Sequence, residues 1–181
     1  MKTKIATAAL LLNSDGPHIT DERTMTDIVG PDHSNAIAFP PFVYAAGLVA
    51  GVGLDILWPV PILPDAVQFA VGGTVLCISG AIMPFVIRRF RKSRTTFSVR
   101  GSSSALITDG PYRFSRNPSY VSLTLLYVAI SVLADNIWML ALLVPVLLVM
   151  QFGVVMREER YLERKFGDEY RRYKGLVRRW I

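Results

Sequence analysis

Charge is excluded from two long stretches of this chain. Residues 38–87 contain only Asp55 and Asp65, and residues 117–156 only Asp135. A soluble fold needs a polar face on nearly every element, and stretches of 50 and 40 residues with so little charge cannot supply one. Between and after them, residues 88–116 and 157–181 are crowded with Arg and Lys. Apolar spans alternating with basic aqueous segments are what a bilayer imposes. The 181 residues suffice for one domain. The net charge of +6 is explained by arginines flanking membrane spans, and no nucleic-acid partner is expected.

Turn residues divide the apolar stretches into four spans. The first runs from Ala38 to Trp58, opened by Pro40-Pro41, where missing N–H groups cost nothing. Trp58 suits an interfacial position, and Pro59, Pro61 and Pro64 then forbid helix. Asp55, three residues before Trp58, is either an intramembrane acid and so a functional candidate or a residue reaching the same interface. The second span runs from Asp65 to Ile87. Its Gly72, Gly73, Ser79, Gly80 and Ala81 predict close helix approach, and Pro84 predicts a kink near its end. The third, Ser119 to Leu133, is short for a hydrocarbon core of ~30 Å. Ala134-Asp135-Asn136 makes a tight turn into the fourth, Ile137 to Met156.

The basic residues then orient the spans. Lys2, Lys4 and Arg23 precede the first span, eight lie between the second and third, and nine follow the fourth. The segments 59–64 and 134–136 contain none. All 20 therefore fall on one side, which predicts four spans with both termini cytoplasmic. The fold class expected is an all-α integral membrane protein with an amphipathic C-terminal helix. Residues 1–37 read as a polar leader, 38–90 as the first two spans and 91–181 as a core carrying the chemistry. The run Ile5–Leu12 after Lys2 and Lys4 is too short and poorly followed for a signal peptide. Cys77, the lone cysteine, excludes an intrachain disulfide and reads as a small buried hydrophobe. Both histidines, His18 and His33, lie in the leader, so neither a histidine metal site nor a histidine triad is expected.

Two segments need more than a topological explanation. Residues 101–118 read GSSSALITDGPYRFSRNP. Gly110-Pro111 and Asn117-Pro118 are turn signals, which places Tyr112, Arg113 and Arg116 on an ordered loop before the third span. Contact with anionic lipid explains the arginines but not the interleaved Tyr112 and Tyr120. The fourth span then continues as Met156-Arg157-Glu158-Glu159-Arg160-Tyr161, running to Phe166-Gly167. Glu163, Arg164 and Lys165 read as a solvated helix face laced with ion pairs. Glu158 and Glu159 differ, because they stand where the span leaves the bilayer and can hold a cation there.

In order and spacing these pieces resemble the isoprenylcysteine carboxyl methyltransferase family, itself related to membrane phospholipid methyltransferases. The resemblance rests on LITDGPYRFSRNPSY, then a helical hairpin, then REERYLERKFGDEYRRYKGLVRRWI. It covers Ser104 to Ile181; the first two spans match in hydrophobicity alone. It implies S-adenosylmethionine as cofactor, held by Ser104, Ala105, Leu106, Ile107, Tyr112, Asn117, Pro118, Ser119, Tyr120 and Glu158. On chemical grounds Arg116 and Glu159 join Asn117 as the expected catalytic group. Asn117 stands where the family usually has histidine, as in bacterial-type members, which implies a bacterial inner membrane. Asparagine keeps a donor and an acceptor but cannot serve as cation or base. Val154 stands where the resemblance places an arginine for the substrate carboxylate.

Methyl transfer from a sulfonium is an in-line displacement, so the protein mainly aligns the reactants in a preorganised polar site. A carboxylate acceptor needs no base; an amine acceptor would need Glu158 or Glu159. The expected partner is a lipidic or prenylated small molecule entering between helices, among membrane lipids and without a metal. The alternatives are a phospholipid amine methyltransferase, a relative of the NADPH-dependent sterol reductases, and a non-enzymatic membrane scaffold.

Overall fold

The computed structural model describes residues 39–92 and 106–181. The expected leader with His18 and His33, the arginines at 94 and 100, and Ser104 and Ala105 lie outside the described residues. All regular structure among the described residues is helical.

Helix α1 spans Pro40–Leu57, with proline in its first turn as expected. It stops where Trp58 N–H donates back to Leu54 O at 2.9 Å, immediately before the proline-rich segment. Helix α2 spans Asp65–Lys92. Its acidic first residue suits the positive end of the helix dipole. Its 28 residues exceed the thickness of a hydrocarbon core, so its basic end projects beyond it. A 3₁₀ turn, Gly110–Arg113, precedes helix α3, Pro118–Leu133. With 16 residues α3 is ~24 Å long, short for a span as the sequence predicts. Helix α4, Ile137–Val149, passes into a π-helical segment, Met150–Val155, and then into α5, Met156–Leu176. Among the described residues, three helices are long and apolar enough to cross a membrane: α1, α2, and the run that begins with α4.

Helix α3 lies against α2, and α1 lies against α4. The core between them is built from Tyr44, Tyr127, Met139, Val146, Met150 and Val154. Small residues set these distances, though not all the expected ones. In α2 it is Gly72, packed on Leu133, and Ser79 that meet α3, whereas Gly73 and Gly80 face nothing within 4 Å among the described residues. Ser79 and Ser122 clasp reciprocally, each hydroxyl donating to the other's carbonyl at 2.8 and 3.0 Å. Cys77 is exposed on the outer face of α2, not buried as its apolar surroundings suggested. The closest approach belongs to Gly51 of α1, with Gly47 four residues before it also tightly packed. A Cβ at Gly51 would lie 2.9 Å from the Met139 Cα, and one at Gly47 would meet Val146.

The end of the bundle without basic residues is knit by polar groups. Asp135, at φ 51°, accepts from Ile62 N–H and Leu63 N–H at 2.7 and 3.2 Å. Asn136 caps α4 by accepting from Met139 N–H at 2.9 Å, and its amide donates to Gly51 O at 3.3 Å. Gln68 donates to Leu133 O, and the Trp138 indole donates to Trp58 O. These bonds supply partners that lipid cannot, for backbone that the prolines and turns leave unpaired.

At the opposite end, α5 is not the continuous helix the sequence suggested. Gly167 adopts φ 52°, ψ −124°, a conformation that essentially requires glycine. The chain doubles back there. Glu163 reaches Lys174 at 3.2 Å, although 11 helical residues would separate them by ~16 Å.

The fold makes Gly51 intolerant of bulk. Gly51→Leu should destabilise the bundle by about 1–3 kcal/mol, because Met139 backbone cannot retreat as a side chain would. Gly53→Leu, where nothing among the described residues lies within 4 Å, should leave stability nearly unchanged. Unfolding of the two variants in mixed micelles checks this; equal losses would contradict the packing described.

Candidate functional site

The site forms where α3 begins and α5 emerges from the apolar zone. Gly110, at φ 62°, permits the 3₁₀ turn that carries Tyr112. Asn117-Pro118 then starts α3, and Tyr120 falls in its first turn, facing α5. The π-helical segment supplies the other side. In a regular helix the buried stripe Val146, Met150, Val154 would pass on to a single position per turn. The wider π turn instead keeps Val154 and Val155 buried together, and Glu158 and Glu159 follow four residues later on the same side.

Glu158 Oε2 accepts from the Tyr120 hydroxyl at 2.9 Å. Desolvation by burial pushes the Glu158 carboxyl above its ordinary value, the neighbouring Glu159 adds to this, and the Tyr120 hydrogen bond opposes it. Tyr112 belongs to the same cluster. Burial pushes its phenol far up, and the fields of Glu158 and Tyr173 push in the same direction. Its carbonyl accepts from the Tyr173 hydroxyl at 2.7 Å, tying the turn to the second half of α5. Tyr120 is also connected into the bundle. Its carbonyl accepts from Thr124, whose hydroxyl is 2.8 Å from that of Tyr44 on α1.

Glu159 has a different environment. Both its oxygens accept from Arg179, Nε to Oε1 and Nη2 to Oε2, each at 2.8 Å. Arg116 Nη1 lies 3.1 Å from the same Oε1. The Glu159 pair raises the Arg179 guanidinium above its usual range. Tyr170 and Tyr173 close the cluster, with ring centres 6.2 Å apart. The Tyr170 phenol is pushed up to about 12, chiefly by burial and then by Glu159, with Arg116 opposing.

Arg179 belongs to a strap, residues 177–181, that runs back along the loop before α3. Arg116 N–H donates to Arg178 O at 3.0 Å. The Asn117 amide donates to Arg179 O at 3.0 Å, and the Trp180 indole donates to Gln151 Oε1 at 3.0 Å. Trp180 also packs on the membrane core.

Of the residues named from sequence, Tyr112, Tyr120 and Glu158 form one cluster, and Arg116 and Glu159 form an adjacent one. The Asn117 side chain is engaged by the strap. Pro118 is buried and Ser119 partly so in the first turn of α3, while Leu106 and Ile107 are partly buried ahead of the 3₁₀ turn. Sequence reasoning did not single out Arg179, Trp180 or Gln151. A partner 20 residues away, reached through a reversal at Gly167, leaves no periodic signal. The positive-φ glycine was the available clue.

Comparison with known proteins places this geometry. A family model described as phospholipid methyltransferase matches residues 67–169. The match begins in α2, well before the region that carries the resemblance in the sequence, and ends short of the strap. An uncharacterised protein of Haemophilus influenzae is 48% identical over 63 residues, which is 34% of this chain and 98% of that protein. No solved structure matches the chain. More than half of the chain, including α3 and the segment bearing Glu158 and Glu159, thus belongs to the phospholipid methyltransferase family, a family of methyltransferases.

Proposed function

We propose that the protein is an S-adenosylmethionine-dependent methyltransferase acting at the membrane surface on a lipid-like acceptor, such as an isoprenoid or prenylcysteine-like carboxylate. The observation that carries this reading is the convergence of Tyr112, Tyr120 and Glu158 in a chain of this family. The residues fit the cofactor chemically. Glu158 offers acceptor oxygens for hydroxyl or ammonium groups, and Arg116 holds two buried donors, Nε and Nη1, without hydrogen-bond partners among the described residues. When bound, S-adenosylmethionine supplies an electrophilic methyl group on a sulfonium.

In this reading Glu158 and Tyr112 hold the polar body of the cofactor, with Tyr120 fixing the Glu158 carboxylate by its 2.9 Å hydrogen bond. The start of α3, Asn117 to Tyr120, and residues Ser104 to Ile107 supply backbone and apolar contacts. Asn117 and Glu159 act as positioning residues, because both are engaged by the strap. The basic residues orient the site to the cytosol, with both termini on that side. A lipidic acceptor reaches it sideways between helices. The chain's main contribution is alignment in a site that excludes bulk water.

A second reading, N-methylation of a phospholipid amine, is favoured by one observation. An amine must lose a proton, and burial raises the proton affinity of Glu158. The two readings share the cofactor and differ in the acceptor.

Glu158→Ala should weaken S-adenosylmethionine binding by roughly ten- to hundredfold, measured by calorimetry in nanodiscs. Wild-type protein that binds NADPH and not S-adenosylmethionine would replace this reading with a reductase.

The same residue sets a pH dependence. The folded-state value of Glu158 lies above its ordinary 4.5, so just above that pH the folded chain keeps a proton that the unfolded chain releases. This contribution favours folding most at low pH and is lost as pH rises through the folded value. Glu158→Gln removes the titration. Its melting temperature should fall less than that of the wild type between about pH 4.5 and about pH 8. Parallel melting curves across that range would show that Glu158 is not desolvated.

A further inference from the structure

We propose that Arg116 anchors an oxyanion site, receiving a carboxylate or phosphate group beside the first turn of α3. The Arg116 side chain is only 9% exposed. Its neighbour Glu159 already gives both oxygens to Arg179 in well-aligned bonds of 2.8 Å. Its guanidinium hydrogen-bonds the Tyr170 side chain, but Nη1, though close to Glu159 Oε1, is not aligned to donate to it, and neither Nη1 nor Nε has a hydrogen-bond partner among the described residues. A guanidinium cannot lose its proton to escape this, and buried donors are costly when unmatched.

Two guanidinium groups, Arg116 and Arg179, meet the one carboxylate of Glu159, while Glu158 is turned to the Tyr120 hydroxyl. The N-terminus of the 16-residue α3 begins two residues after Arg116 and adds positive potential. The planar fork of arginine suits the paired oxygens of a carboxylate or phosphate.

Arg179 has a distinct part in this arrangement. By taking both Glu159 oxygens in aligned hydrogen bonds, it leaves Arg116 only the 3.1 Å ion pair with that carboxylate. It is a positioning residue that keeps the donors of Arg116 available.

Two molecules can bring such a group to Arg116. One is the amino-acid end of S-adenosylmethionine, which rests on the methyltransferase reading. The other is the acidic headgroup of the lipid-like acceptor, which does not require the cofactor assignment. The full chain in zwitterionic nanodiscs would be titrated calorimetrically with S-adenosylmethionine, its decarboxylated analogue and dodecyl phosphate. If the cofactor supplies the anion, the wild type prefers S-adenosylmethionine over the decarboxylated analogue by roughly ten- to hundredfold, and Arg116→Gln abolishes that preference. If the acceptor supplies it, Arg116→Gln weakens dodecyl phosphate by a similar factor and leaves the cofactor unaffected.

Binding of all three probes by Arg116→Gln at wild-type strength overturns the proposal. So does a wild type that neither prefers the carboxylate-bearing cofactor nor binds dodecyl phosphate. Should Arg116→Gln lack a cooperative melt, Arg116→Lys decides. It keeps the charge and loses the fork, so the anionic probe should weaken severalfold; unchanged binding refutes the site. Absence of any S-adenosylmethionine binding by the wild type would defeat the methyltransferase reading alone, with the dodecyl phosphate arm still deciding Arg116.

Discussion

The basic end of the molecule depends on one ion pair, the two-pronged contact between Glu159 and Arg179. Along a straight helix these residues would lie ~30 Å apart. They meet because Gly167 takes a backbone conformation closed to other residues and sends the chain back on itself. The returning strap then meets the loop before α3 through Arg178 O and Arg179 O, and meets the π-helical segment through Trp180 and Gln151. Loop, strap and helix are thereby fixed relative to one another. A buried carboxylate is costly in isolation, and here both of its oxygens are matched, so the pair specifies a geometry more than it adds stability.

The membrane half is governed by a different constraint. Lipid offers no hydrogen-bond partners, so every turn inside or beside it must be satisfied from within. Asp135 does this for the proline-rich connection, and Asn136 caps α4 while bonding Gly51 O within α1. That fixes α3 and α4 at one end, and the Ser79–Ser122 clasp fixes α3 against α2 at mid-height. The first turn of α3, bearing Tyr120, is thus held from below by the bundle and from above by the strap. A rigid platform of this kind suits chemistry that relies on alignment.

Much of this was legible in the residues. Segregated charge gave the apolar helices, prolines gave their starts, and the short third helix emerged at the length its turn signals implied. Glu158 and Tyr120 stood out because a carboxylate and a phenol at span boundaries lack a topological explanation, and the structure brings them within hydrogen-bond distance. What sequence did not disclose depends on three-dimensional register. Gly73 and Gly80 look like Gly72 in the chain, yet only Gly72 meets a partner, because a helix face is chosen by packing. Gly51 makes the tightest contact, yet a glycine in an apolar run is too common to mark it in the sequence. The π turn that brings both glutamates inward leaves no mark in composition. Arg179 was counted among the topological arginines, and only the reversal at Gly167 gives it a separate role.

The proposed methyl transfer to a lipid-like molecule can be observed directly. Incubating the purified chain in nanodiscs with methyl-tritiated S-adenosylmethionine, a total lipid extract and a panel of farnesylated thiols tests it most directly. The account predicts label in an organic-soluble product that depends on intact Glu158. Release of that label as methanol by base identifies a carboxylate acceptor, and base-stable label identifies an amine. Wild-type protein that remains folded and transfers no label to any of these acceptors would contradict the account.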